Sequence, residues 1–83
     1  MSPAHPARTP RPSPSYLDEC QKLPWNGESR WVDPTGKFVL TYDARHGGEI
    51  EAFHRKTGRH HAVLDILTGE PTKPAVKGRS INV

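Results

Sequence analysis

"KFVLTYDARHGGEIEAFHR", residues 37–55, reads as two strands around a glycine loop. Phe38, Leu40 and Tyr42 alternate with Lys37, Val39, Thr41 and Asp43, the period of a strand with one face turned to a core. In "EIEAFHR" (49–55), Glu49, Glu51 and Phe53 share one face, opposite Ile50, Ala52 and His54. The Gly47-Gly48 pair between the strands supplies the backbone freedom a reversal needs. This hairpin carries Asp43, Arg45, His46, Glu49 and Glu51, an unusual density of ionisable groups for a segment that must also build a core. If the strands pair, Asp43, His46 and Glu51 come within side-chain reach of one another. A carboxylate beside an imidazole is the minimum equipment for paired proton transfer near neutral pH. The plainer reading is a solvated hairpin edge, with Glu49 and Glu51 facing water and His46 a turn residue.

Working outward, "RHHAVLDIL" (59–67) is a third strand, rich in aliphatic residues. Thr35-Gly36, Thr57-Gly58 and Thr68-Gly69 punctuate the runs, and glycine at such turns supplies positive φ. The pattern predicts a mainly β fold, a small antiparallel meander. "SYLDECQKLP" (15–24) predicts one short helix, with Ser15 as N-cap, acids in its first turns, Lys22 near its end and Pro24 beyond. "VKGRSINV" (76–83) is expected to be an edge strand.

The first fifteen residues hold five of the nine prolines and no large apolar side chain except Met1. Such a stretch cannot bury enough surface to offset its ordering entropy, so residues 1–15 are expected to be a flexible linker and 16–83 the folded domain. That domain is near the size at which a single core barely suffices. Cys20 is the only cysteine, so neither a disulfide nor a cysteine-based zinc framework is available. No membrane span is legible. The N-terminus lacks the apolar core of a secretory signal, so export is expected to rely on something outside this chain.

The net charge is +3 and the pI about 9.4. The excess is uneven: Arg55, Lys56 and Arg59 crowd one turn, and Lys73, Lys77 and Arg79 occupy a tail without side-chain acids. A basic face with embedded acids suits a polyanion that is acted upon. Other constellations are weaker. His54, His60 and His61 with Asp65 suggest a metal site, but adjacent histidines on a strand point to opposite faces, and no metal is expected. Cys20 has no cationic activator in sequence and reads as a packed thiol. Trp25 and Trp31 either stack on bases or cover a small core, the second being simpler.

From Arg30 to Ile81 the sequence resembles the colicin-type cytotoxic ribonuclease domains, bacteriocin nucleases that cut 16S ribosomal RNA in the decoding site. The residues carrying the resemblance are Arg30-Trp31, Asp43-Ala-Arg-His46-Gly47, Glu49-Ile50-Glu51-Ala52-Phe53, Gly58-Arg59-His60, Leu64-Asp65-Ile66-Leu67-Thr68-Gly69 and Lys77-Gly78-Arg79-Ser80-Ile81. The resemblance implies catalytic roles for Asp43, His46, Glu51 and Arg79. Glu49 matches a second acid of the motif. Substrate contacts are expected from Glu49, Arg55, Lys56, Arg59, His60, Lys73 and Lys77. One departure stands out: this chain has an extra residue, the second glycine, between His46 and Glu49.

The resemblance also implies a strongly twisted antiparallel sheet and a metal-independent reaction with no cofactor. It implies ribosomal RNA as substrate, an acidic immunity protein as partner, and a larger delivery protein. The toxin would be exported and act in the cytoplasm of a target bacterium. Two rivals remain on the residues alone: a non-catalytic RNA- or ribosome-binding module, and a metal-dependent nuclease built on the histidines.

Overall fold

The computed structural model describes residues 10–24, 27–45 and 47–83. Six strands follow one another as neighbours in a single antiparallel sheet: β1 (Gln21–Leu23), β2 (Arg30–Val32), β3 (Phe38–Asp43), β4 (Glu49–His54), β5 (His60–Leu64) and β6 (Pro71–Pro74). This is the expected mainly β meander. The strands expected at 37–43 and 49–55 form β3 and β4, whereas the one expected at 59–67 stops at Leu64, because Asp65 starts a turn by accepting the N–H groups of Leu67 and Thr68. β3 and β4 pair without interruption from Phe38–His54 to Asp43–Glu49, which sets Thr41 opposite Glu51.

Alternation divides the sheet into two faces. One carries the main core: Trp31, Leu40, Ile50, Ala52, Ala62 and Leu64, capped by Leu17. Leu40 and Ile50 are fully buried. Truncating either to alanine costs about 2–5 kcal/mol in a typical core, a large share of the stability of so small a domain. The opposite face carries Val39, Thr41, Glu51 and Phe53, and this is where the ionisable groups collect.

Two of the turns are organised by an aspartate. Asp33 accepts the backbone N–H groups of Lys37 and Phe38, both at 3.0 Å, and Asp65 accepts those of Leu67 and Thr68 at 2.8 and 2.9 Å. Gly36, Gly58 and Gly69 each hold φ near +77°. The hydrogen bonds from Thr68 and Leu67 hold the Asp65 carboxyl below its ordinary range.

Two expectations need correction. The segment from Ser15 to Pro24 is not one helix. It forms a single 3-10 turn, Tyr16–Glu19, in which Asp18 accepts the Ser15 N–H at 2.8 Å. Cys20 is then extended, and Gln21–Leu23 pairs with β2. A helix that short is marginal in isolation, and the sheet edge offers the same backbone groups permanent partners. Nor is the C-terminal tail an edge strand. The edge is β6, whose prolines are tolerated there because an edge strand leaves some N–H positions unpaired. The tail turns at Gly78, with φ +86°, and folds back to a single bridge between Arg59 and Ser80.

That return is held by backbone bonds. His60 N–H reaches Arg79 O at 2.9 Å, and Ile81 N–H reaches Gly58 O at 2.9 Å. Arg30 donates to the Asn82 carbonyl. Gly58 makes the approach possible, since a Cβ there would lie 2.1 Å from the Ile81 carbonyl oxygen. Gly58→Ala is therefore expected to destabilise the domain by about 1–3 kcal/mol, from backbone strain and displacement of the tail. Gly47→Ala meets nothing within 4 Å and should cost only the strain of its positive φ. Thermal melts of the two variants check this: equal melting temperatures would contradict the close approach at Gly58.

Candidate active-site cleft

The second face of the sheet opens into a cleft of about 630 Å³, lined among others by Thr41, Asp43, Glu51, Phe53 and Arg79. Glu51 is its central group. Its position opposite Thr41 in mid-sheet leaves it only 6% exposed, not facing water as a hairpin-edge acid would. A buried carboxylate needs compensating donors. Two reach Oε1, His60 Nε2 at 2.8 Å and an Arg79 guanidinium nitrogen at 2.8 Å. Oε2 takes no hydrogen bond among the described residues.

The hydrogen bonds around His60 assign its tautomer. Val76 N–H donates to His60 Nδ1 at 2.9 Å, so Nδ1 presents a lone pair and the ring hydrogen sits on Nε2, pointed at Glu51. The ring is edge-on to Phe53, with centroids 5.2 Å apart. This imidazole is a fixed donor to the carboxylate. In this arrangement both ring nitrogens are engaged, Nε2 with the Glu51 carboxylate and Nδ1 with the Val76 N–H.

A β-bulge brings His60 there. Ala62 pairs with Ala52, but Phe53 pairs with His60 and not with His61. The extra residue, His61, is turned to the other face, where its ring stacks on Phe38 at 4.2 Å and meets His54 edge-on at 4.9 Å. Burial, with the nearby His54 and His60, lowers the His61 pKa. The histidines are thus divided between the two faces. Among the described residues no group of three His, Cys, Asp or Glu side chains is placed to hold a metal ion.

Arg79 comes from the returning tail. Its guanidinium is half exposed and lies 5.9 Å from the Phe53 ring centroid. A neighbouring depression of about 410 Å³ is lined by Arg59, His60, Lys77 and Arg79, so two of the expected phosphate-binding cations adjoin the cleft. Lys73 is paired with Glu49 at 3.0 Å, with the Thr72 hydroxyl 3.2 Å from the same carboxylate. Arg55 and Lys56 sit beyond the end of β4, outside the cleft lining, and Arg55 donates to the Gly36 carbonyl at 3.3 Å.

Asp43 ends β3 on the cleft face and accepts the Arg45 N–H at 3.2 Å. The loop after it absorbs the extra glycine: Gly47 and Gly48 both take positive φ, and Gly48 N–H closes on the Asp43 carbonyl at 2.9 Å. His46 and Trp25 lie outside the described residues. Trp31 is buried in the core cluster, with the Lys22 ammonium 5.8 Å from its ring. Burial first, then the charges of Asp33 and Glu19, push the Cys20 thiol up to about 11, which keeps it protonated at neutral pH and fits a packing role.

Sequence reasoning missed three features of the cleft: the burial of Glu51, the direct bond from His60 to it, and the presence of Arg11 in its lining. No helix among the described residues is long and apolar enough to cross a membrane. No curated protein matches the chain. The Cytotoxic family model matches residues 18–82, which includes all six strands, the cleft acids and the returning tail. The chain therefore belongs to the Cytotoxic family, the colicin-type cytotoxic ribonuclease domains of bacterial toxins.

Proposed function

We propose that the chain is an endoribonuclease toxin that cuts 16S ribosomal RNA in the decoding site and so blocks translation. The observation carrying this reading is the Glu51 carboxylate, buried in the cleft, held through Oε1 by His60 and Arg79, with Oε2 turned to neither. A carboxylate so fixed suits a general base.

RNA brings its own nucleophile. Glu51 removes the ribose 2′-hydroxyl proton, and the oxygen attacks the adjacent phosphorus. The bond from phosphorus to the 5′-oxygen breaks, and His46 supplies the proton that the departing oxygen takes up. Asp43 orients the His46 imidazole and favours its charged form. Arg79 meets the charge that gathers on the non-bridging oxygens. The products are a 2′,3′-cyclic phosphate and a 5′-hydroxyl. His60 holds the base, because its ring hydrogen is already committed to Glu51. No step requires a metal ion or cofactor.

Arg59 and Lys77, beside Arg79, hold the phosphate backbone, so binding weakens as salt rises. Glu49, Arg55, Lys56 and Lys73 lie further out and serve the wider ribosomal surface. Ribosome shape selects the cutting site more than a base pocket does. Residues 16–83 act as the toxic domain and the proline-rich start as its junction to a larger delivery protein. The toxin is exported and works in the cytoplasm of the target bacterium. In the producer, an acidic immunity protein covers the basic surface by charge complementarity.

Substrate chemistry tests the mechanism. An RNA with a single 2′-deoxy substitution at the cut nucleotide should resist cleavage, as should DNA of the same sequence, and cutting of the all-ribose RNA should persist in EDTA. Cutting of the deoxy substrate would show that water is the nucleophile. Loss of cutting in EDTA would favour the metal-dependent alternative. Binding without any cutting would favour a non-catalytic RNA-binding module.

A further inference from the structure

The proline-rich start reaches the cleft. The Pro10 carbonyl accepts a hydrogen bond from the Tyr42 hydroxyl at 3.0 Å, and Tyr42, though it alternates with the cleft-face residues of β3, borders the same cleft, as do Arg11 and Trp31. The next residue, Arg11, lays its guanidinium over the Trp31 ring, 5.0 Å from the centroid. At the other end of this stretch Ser15 is buried and Tyr16 N–H bonds to the Ile66 carbonyl at 2.8 Å. The segment from Pro10 to Ser15 is thus tied to the sheet at both ends. Its prolines at 10, 12 and 14 restrict φ in the free chain, so fewer contacts suffice to order it.

Charge gives this placement a consequence. Among the described lining residues of the cleft, Glu28, Asp43 and Glu51 stand against Arg45 and Arg79, an acidic balance unsuited to a polyanion; Arg11 brings the lining to neutrality. Arg79 is moreover paired with Glu51. Arg11 has no carboxylate partner among the described residues and rests against the face of an indole. That contact fixes the guanidinium plane and leaves its N–H fork available to an anion.

We propose that Arg11 is a substrate-binding residue, receiving the RNA phosphate that flanks the scissile one while Arg79 serves the scissile phosphate itself. The proposal rests on the ribonuclease reading. It makes the proline-rich stretch part of the substrate site in addition to any role as a junction.

The test is a binding titration of the full chain carrying Glu51→Gln, so that RNA is not consumed, against intact bacterial ribosomes at several salt concentrations. Adding Arg11→Ala should weaken binding about fivefold to tenfold at low salt and reduce the slope of log K against log salt by about one. Arg11→Lys should restore the slope. The same affinity and slope in the Arg11→Ala chain would overturn the proposal. Tighter binding by Arg11→Ala would overturn it too, and would mark the segment as a strap that occludes the cleft. In parallel, the chain with Glu51 intact is assayed for cutting. If it cuts nothing and the Arg11 dependence of binding persists, the ribonuclease reading fails while the phosphate contact stands.

Discussion

Glu51→Gln is expected to lower single-turnover cleavage of ribosomal RNA at least ~100-fold, the usual scale for losing a general base, while the domain stays folded. The two halves of this result have separate physical origins. An amide is isosteric with the carboxylate, and its oxygen can still accept from His60 Nε2 and Arg79, so the buried contacts persist. Its basicity is gone, so nothing at that position can take the 2′-hydroxyl proton. Glu51→Ala is a poorer test, because it strands the buried His60 donor and destabilises the sheet. His46→Ala should cause a loss of similar size through the leaving oxygen. Near-parent cleavage by a folded Glu51→Gln chain, with an unchanged thermal melt, would remove Glu51 from the mechanism.

Arg79→Lys should lose most of the cutting rate while keeping ribosome affinity nearly intact. In-line attack concentrates negative charge on the non-bridging oxygens, and a guanidinium meets two of them with a rigid fork. An ammonium retains the positive charge, and with it the long-range attraction to phosphate, but not the fork. The resting structure adds a reason. Arg79 is half exposed and shares Glu51 Oε1 with His60, so it can turn to an arriving phosphate while His60 keeps the carboxylate in place. Lys77, in the adjoining depression, has no contact with Glu51 among the described residues. Lys77→Ala should weaken binding and flatten its salt dependence. Single-turnover cleavage at saturating enzyme, beside a binding titration at several salt concentrations, separates the two. Parent-rate cutting by Arg79→Lys at saturation would reduce that arginine to a tether.

How far the sequence reaches depends on the range of the interactions involved. β3 and β4 are legible because their alternation is local, and β5 because its run of aliphatic residues is. The turns are legible through their Thr-Gly pairs, because the positive φ that Gly36, Gly58 and Gly69 adopt is a local requirement of the reversal. The acids of the β3–β4 hairpin are legible as a cluster for the same reason. What escapes the sequence depends on partners far along the chain. The segment Gln21–Leu23 trades a marginal helix for pairing with β2. The tail is held by Gly58 and His60, which no local pattern in "VKGRSINV" announces.

His60 shows the difficulty most clearly. Continuing the pairing of Ala52 with Ala62 would set His61 opposite Phe53 on the cleft face. One extra residue in the bulge exchanges the two histidines and gives Glu51 its partner. Glu51 itself is visible as an acid in the sequence, but its burial needs the strands on both sides and the tail above. Arg11 is hidden by composition, since a proline-rich stretch without large apolar side chains gives no sign that one cation will rest on Trp31.

The most direct test is to incubate the full 83-residue chain with intact bacterial ribosomes and map both the position and the chemistry of the new RNA ends. Attack by the ribose 2′-hydroxyl predicts one cut in the decoding region of 16S RNA, leaving a 2′,3′-cyclic phosphate on one fragment and a 5′-hydroxyl on the other. Intact RNA, or ends bearing a 3′-hydroxyl and a 5′-phosphate, would contradict it.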